Sequence, residues 1–146
     1  MCLDGAGHLV VVRGHRSVAG LLDALLGAVT RPGRGGPARA VADAMRAHPE
    51  YVGGTGHVNT ELMRALPGAV VKGGAEGVII AATARGHAVA VKVIDGGLRA
   101  TTAIALRALG ELGADVAPAA PLGVVPILGG GDQVGEIHAT VSKGTQ

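Results

Sequence analysis

The chain has 146 residues, of which 48% are hydrophobic and 16% charged, so it is not an intrinsically disordered polyelectrolyte and has the length of one domain. Its basic residues are spread along the chain for a net charge of +2, and Tyr51 is the only Phe, Tyr or Trp, which argues against nucleic-acid binding. The single cysteine, Cys2, excludes an internal disulfide, and neither a membrane-spanning run nor a signal peptide is visible. We therefore expect residues 1–146 to form a single cytoplasmic domain without a membrane partner.

The N-terminal part of the chain is predicted to hold a strand and two helices. The short β-branched run Leu9–Val12 favours a strand, and Ser17 is a candidate N-cap for the segment after it. A glycine-rich breaker separates that segment from Pro37, which begins a second helix ending at His48. The first helix is indicated by apolar residues at helical spacing, namely Val18, Leu21, Leu22, Leu25, Leu26 and Val29.

The middle of the chain is predicted to contain a short helix and three strands. We expect residues 49–58 to be a glycine-rich loop, after which Asn59 or Thr60 caps a short helix. The strands are predicted from apolar runs at residues 70–72, 78–83 and 88–94, with a tight turn at Arg85-Gly86 joining the last two into a hairpin.

The C-terminal part is predicted to hold one long helix and one strand. Residues 98–112 carry the longest helical stripe of the chain, residues 114–133 are expected to be loop-rich, and residues 134–141 alternate as a strand does. The order of these elements predicts an α+β fold, in which an antiparallel sheet is flanked by helices.

Common catalytic and cofactor motifs are absent from the sequence. There is no glycine-rich nucleotide loop and no Gly-x-Ser-x-Gly elbow, and neither Ser17 nor Ser142 has a lysine three residues further on. The six histidines are scattered, and none is paired at a spacing of four on a helix. We therefore expect no cofactor and no metal site.

Residues 52–99 contain the most informative motifs. They include Gly53-Gly54-Thr55-Gly56-His57-Val58-Asn59-Thr60-Glu61, then Lys72-Gly73-Gly74-Ala75-Glu76-Gly77, then Lys92-Val93-Ile94-Asp95-Gly96-Gly97. With Asp4-Gly5-Ala6-Gly7 near the start, this long and ordered set resembles the L-asparaginase II family of the thermolabile rhizobial type. The resemblance is close over residues 37–113 and places the chain in the C-terminal half of that family.

The resemblance implies both a fold and an activity. The family is similar in fold to serine β-lactamases and glutaminases, so this chain is expected to resemble the C-terminal part of that fold. The implied reaction is hydrolysis of the side-chain amide of asparagine to aspartate and ammonia. In it a serine attacks the carbonyl, a lysine acts as its base, and backbone N–H groups stabilise the oxyanion.

The chain also departs from the family pattern. The Ser-x-x-Lys nucleophile pair and a Cys-Ser-Gly-Lys-His metal segment belong to an N-terminal half that these residues do not contain. Ala6 replaces the cysteine that is a zinc ligand in such enzymes, whereas Asp4 matches. We therefore expect a truncated form that is inactive when isolated, with an asparagine-like small molecule as substrate and a homo-oligomer or a second chain as partner.

Lys72 and Asp4 are the predicted catalytic residues. The two valines before Lys72 indicate a core strand, and Gly73 and Gly74 after it leave room for a ligand to approach the strand edge. An ammonium there can hold a carboxylate or activate a neighbouring nucleophile. We expect Lys72 on an inner strand with its ammonium at the mouth of a cleft near residues 53–60, although a solvated lysine before a turn fits the same pattern.

The predicted substrate-binding residues, each with a structural alternative, are Thr55, Asn59, Thr60, Gly73, Gly74 and Glu76. Thr55, Asn59 and Thr60 follow a glycine-rich loop, where binding groups are common, but the last two also suit helix capping. The family usually has aspartate at the position of Asn59, so an ionic role is weakened here. Glu76 either pairs with Lys72 or is a surface carboxylate.

Two further interpretations stay open at this point. Asp95 is favoured as a partner of Arg99, four residues further on. The alternative function is a non-catalytic small binding or interaction domain. A chain with so few large side chains is expected to leave apolar surface exposed, and such surface favours binding to a partner.

Overall fold

The computed structural model describes residues 36–140. Four predicted features lie outside these residues: the strand Leu9–Val12, the cap at Ser17, the helix after it, and the site residue Asp4.

Helix α1 spans Pro37–Ala47, with proline at its first position, as predicted. It packs on one end of the sheet through Ala42, which is 3% exposed, and Arg46 Nε donates a hydrogen bond of 3.0 Å to the carbonyl oxygen of Gly68. This bond fixes α1 to the turn that leads into the first strand.

Residues 49–58 are not the continuous loop that was predicted, because they contain the one-turn helix α2, Glu50–Gly53. The N–H of Gly54 donates to the carbonyl oxygen of Glu50 at 2.8 Å and closes the turn. Gly54 then adopts a φ of 94°, a left-handed conformation that ends the helix and suits glycine.

Helix α3 spans Val58–Ala65, and neither of the two predicted residues caps it. The N-cap is His57, whose ring accepts the N–H of Asn59. Asn59 and Thr60 instead lie in the first turn of α3 with both side chains buried. The prediction of a short helix here is confirmed, and its predicted cap is wrong by two to three positions.

The three predicted strands form one antiparallel sheet in the order β1-β2-β3. They are β1 (Val70–Gly74), β2 (Val78–Ala82) and β3 (Ala88–Lys92), and the predicted turn joins the last two. Lys72 pairs with Ile80, and Gly73 pairs with Ile79. Among residues 36–140, β1 is an edge strand, so the expectation that Lys72 lies on an inner strand is wrong for the sheet that the structure describes.

One face of this sheet carries the main core. Helix α4, Thr101–Glu111, lies against it, three residues later than the predicted start at Leu98. The buried side chains are aliphatic and mostly small, as the composition predicts, and include Leu62, Val71, Ile79, Val91 and Leu109. Side chains of this size bring α3 and α4 close to the sheet.

The stretch predicted as loop, residues 114–133, is largely regular. It contains a 3₁₀ helix, Ala117–Gly123, and strand β4, Val125–Gly129, which pairs with β5, Asp132–Ile137. The turn between the strands consists of Gly130 and Gly131, with φ of 62° and 100°. Two consecutive positive φ values give the hairpin turn that glycine pairs favour. The α+β class with antiparallel sheets flanked by helices is confirmed.

Candidate functional site

A cleft of about 360 Å³ opens at the edge of β1. Its lining also includes the segment Val52–Gly53, the first turn of α3, and Leu98 and Thr101 around the start of α4. Its polar lining comes from His57, Asn59, Lys72, Thr101 and the backbone of Gly73 and Gly74. The described lining contains cationic and neutral groups and no carboxylate.

A larger cleft, of about 430 Å³, lies between α4, the 3₁₀ helix and β5. None of the predicted site residues lines it, and its ionisable side chains contact one another in pairs. Arg107 contacts Glu111 at 2.6 Å, and His138 contacts Glu136 at 2.7 Å. Its size alone does not make it the site, because the groups able to bind a ligand converge on the smaller cleft.

Lys72 is exposed on β1 and is one of the residues that line the smaller cleft. Its ammonium contacts the carbonyl oxygen of Gly73, which is its only hydrogen-bond partner among the described residues. An ammonium has three N–H donors, so this contact leaves two for a ligand. The contact also holds the charge beside a backbone that carries no side chain at positions 73 and 74.

His57 is a cleft residue that the sequence reasoning did not single out. Its Nδ1 accepts the backbone N–H of Asn59 at 3.1 Å, so in the neutral ring the proton is on Nε2. The sequence signal was weak, because Ser, Thr, Asp and Asn are the usual N-cap residues. The same ring therefore begins helix α3 and lines the cleft.

Asn59 is 3% exposed and lies against Gly73. A Cβ added at Gly73 would be 3.2 Å from both Nδ2 and Oδ1 of Asn59, so the amide would have to move by a few tenths of an ångström to make room for it. The Oδ1 atom is buried and has no hydrogen-bond partner among residues 36–140. Such an unsatisfied buried acceptor is uncommon in native proteins and calls for an explanation.

Thr60 is fully buried, and the structure gives it a structural role. Its Oγ1 lies 2.7 Å from the carbonyl oxygen of Gly54 and 3.1 Å from that of Pro49, so the hydroxyl fastens α2 to α3. Gly53 packs closely here, because a Cβ at that position would approach Thr60 Oγ1 to 2.9 Å. Thr60 is not among the residues that line the cleft, and its role as a substrate contact stays a prediction.

Thr55 also lies outside the cleft lining, exposed at the tip of the turn between α2 and α3. The three residues that were predicted as binding groups on one loop therefore lie in three different environments. Thr55 is at the surface, Thr60 is in the interior, and Asn59 alone is in the cleft.

Glu76 does not pair with Lys72 within the described structure. It lies in the turn between β1 and β2 with a φ of 60°, and its carbonyl oxygen accepts a hydrogen bond from Lys92 Nζ. Its carboxylate lies against Gly96, where an added Cβ would be 2.9 Å from Oε2. Glu76 therefore joins the β1–β2 turn to the segment after β3 and is not in the cleft lining.

The predicted ion pair between Asp95 and Arg99 is not formed either. Asp95 Oδ1 accepts the backbone N–H of Gly97 at 2.8 Å, which closes a short turn after β3. An aspartate followed by two glycines favours this local turn, because its side chain competes for the backbone N–H two residues on.

Within residues 36–140, no three His, Cys, Asp or Glu side chains lie together as metal ligands do. None of the helices in that part has the length and apolar character needed to cross a bilayer.

The sequence comparisons agree with the motifs at this cleft. No curated protein matches the chain. The sequence profile described as L-asparaginase II matches residues 2–139, which is nearly the whole chain and includes every residue of the cleft. This chain belongs to the L-asparaginase II family.

Proposed function

We propose that the cleft at the edge of β1 binds a small amino-acid amide of the asparagine type, and that the chain contributes to hydrolysis of its side-chain amide. The observation that carries this proposal is the exposed ammonium of Lys72 in a cleft with no carboxylate in its described lining. Membership of the L-asparaginase II family supports the substrate class and the reaction.

Lys72 is proposed to hold the α-carboxylate of the substrate with the two N–H donors that Gly73 does not use. Gly73 and Gly74 line the cleft with backbone alone, so a ligand can approach the strand closely. Asp4, outside the described residues, remains the second catalytic candidate. Thr60 serves the site indirectly by fixing the position of α3.

Amide hydrolysis by the family's chemistry needs a nucleophile that this chain does not contain as a Ser-x-x-Lys pair. The serine would form an ester with the substrate acyl group and release ammonia, and water would then release aspartate. We propose that the pair comes from residues outside these 146, which makes a second chain or a longer form the catalytic unit. The single-domain organisation of residues 1–146 and the cytoplasmic location stay predictions.

The proposal is tested with the 146-residue chain in two assays. Ammonia release from L-asparagine is expected at background, because loss of a nucleophile costs several orders of magnitude in rate. Binding of L-asparagine, followed by NMR titration, is expected to weaken by about tenfold or more in Lys72→Met, because a charge-assisted hydrogen bond is lost.

Lys92→Met is the matched control, since it removes the same charge from the same sheet outside the cleft lining. Lys72→Met should keep the stability of the parent within about 0.5 kcal/mol if Lys72 is a solvated ligand-binding group. Equal binding by both variants would contradict the role of Lys72. Turnover at ordinary enzyme rates would contradict the missing-nucleophile argument and direct the search to Thr55 or Ser17.

A second candidate function, a non-catalytic interaction domain, has one observation in its favour. The β4–β5 hairpin and the residue before it leave Val124, Leu128 and Val134 56–68% exposed within the described structure. A partner that covers these side chains would bury apolar area. Sedimentation of the chain over a range of concentrations distinguishes self-association from a monomer, and Leu128→Ser tests whether the hairpin mediates it.

A further inference from the structure

The side-chain amide of Asn59 is the group in the cleft whose hydrogen bonding is incomplete. It is 3% exposed, yet Oδ1 has no hydrogen-bond partner among the described residues. The amide is also tightly confined, because Gly73 lies against both Nδ2 and Oδ1, and an added Cβ there would be 3.2 Å from each. A polar group held in this way in a binding cleft is a candidate for pairing with a ligand.

The position of the Asn59 backbone is fixed independently of any ligand. Its N–H donates to His57 Nδ1 at 3.1 Å, and it lies in the first turn of α3 next to Thr60, whose hydroxyl contacts the carbonyl oxygens of Pro49 and Gly54. Within residues 36–140, these contacts involve the backbone around Asn59 and leave Oδ1 of its side chain without a partner. The backbone that carries the amide is therefore fixed while Oδ1 is not satisfied, and this arrangement favours recognition.

We propose that the Asn59 amide recognises the primary carboxamide of the substrate and distinguishes it from a carboxylate. Oδ1 is sealed from solvent in the described structure, so in this pairing the Asn59 amide turns to face the cleft. A carboxamide N–H then donates to Oδ1, and Nδ2–H donates to the carboxamide oxygen. A carboxylate has no proton for Oδ1 and would place a second oxygen against it. This inference rests on the proposed function, because it assigns the selectivity of the same cleft.

The charge of the cleft alone favours the opposite selectivity. Aspartate carries one more negative charge than asparagine, and the charged or titratable groups of the described lining are Lys72 and His57, with no carboxylate. Coulomb attraction to Lys72 would therefore make aspartate the tighter ligand. A preference for asparagine would have to come from hydrogen-bond complementarity, and Asn59 is the described amide side chain in position to supply it.

The test compares the affinity of the full 146-residue chain for L-asparagine and for L-aspartate by NMR titration. We expect the parent to bind asparagine about tenfold more tightly, the size of effect that one unsatisfied buried acceptor produces. Leucine has a similar shape to asparagine and no amide. Asn59→Leu should therefore bind aspartate more tightly than asparagine, because attraction to Lys72 then determines the relative affinity. Gln133→Leu removes an exposed amide from β5, outside this cleft, and should leave the parent ratio unchanged.

Each outcome bears on the inference. A parent that binds both ligands equally, or an asparagine preference that persists in Asn59→Leu, overturns the role of Asn59 and leaves the proposed function standing. A parent that binds neither ligand overturns the inference together with the proposed function. The thermal unfolding of Asn59→Leu is measured alongside the titration. If that variant does not fold, Asn59→Ser is titrated in its place. Loss of the asparagine preference in Asn59→Ser supports the role of Asn59, and persistence of the preference overturns it.

Discussion

Gly73→Ala tests whether the close approach of β1 to Asn59 shapes the site. The new Cβ would be 3.2 Å from both Nδ2 and Oδ1 of a side chain that is 3% exposed, so the amide would have to move or the strand would have to shift. Forcing an extra carbon into a packed position costs about 1–3 kcal/mol. Alanine also lowers the conformational entropy of the unfolded chain, which raises the free energy of unfolding by about 0.4–1 kcal/mol.

Gly74→Ala is the matched control one residue further along β1. Its Cβ would meet Val78 Cβ at 3.4 Å and Cγ1 at 3.6 Å, which is ordinary van der Waals contact. This variant should therefore show the entropic gain of about 0.4–1 kcal/mol without the packing cost. The free energy of unfolding should be lower in Gly73→Ala than in Gly74→Ala by about 1–3 kcal/mol.

Urea denaturation at equilibrium measures both variants against the parent, with the slope expected to stay constant because the same surface is exposed on unfolding. Asparagine titration of Gly73→Ala should in addition show weaker binding, since the displaced amide no longer meets its ligand. Equal stability of the two variants would refute the argument that Gly73 is required by Asn59. If Gly73→Ala binds asparagine as the parent does, the contact between Gly73 and Asn59 contributes to stability but not to ligand binding.

Two further substitutions probe the segments around the site. Gly77→Ala, with a φ of 68° and an added Cβ 2.9 Å from Val93 Cβ, should lose about 2–5 kcal/mol in urea denaturation, whereas Gly113→Ala, with a φ of 90° and open space, should lose only about 1–2 kcal/mol. Thr60→Val should lower stability by about 1 kcal/mol, since the two carbonyl groups that its hydroxyl contacts keep other backbone donors; a neutral result would mean that α2 does not depend on it.

The parts of the fold that could be predicted are those specified by neighbouring residues. Pro37 marks the start of α1, and Arg85-Gly86 separates two apolar runs and predicts the β2–β3 hairpin. The β4–β5 hairpin was missed because Pro126 and the run Gly129–Gly131 are typical of loops, although the last two glycines are also the residues that a tight hairpin turn requires. Local composition did not distinguish these two interpretations.

The part of the candidate site that could be predicted is also the part specified by neighbouring residues. Lys72 and its two glycines form a local signal, and they do lie at the cleft. The contact between Asn59 and Gly73, and the position of Glu76 against Gly96, join residues that are 14 and 20 positions apart. Such contacts follow from the packing of α3 and the β1–β2 turn, which single-sequence patterns do not specify. His57 was missed because histidine is seldom an N-cap.

The dual use of the His57 ring makes the start of α3 and the occupancy of the cleft parts of one equilibrium. Because Nδ1 accepts the N–H of Asn59, a ligand that accepts a hydrogen bond from Nε2–H selects the tautomer that already closes the first helical turn. Ligand binding would thereby stabilise the first turn of α3. By linkage, a more stable first turn would raise the affinity for the ligand by the factor by which the ligand stabilises the turn. An electrophile or metal that captures Nδ1 would do the reverse, releasing the turn that carries Asn59 and removing the amide from the cleft.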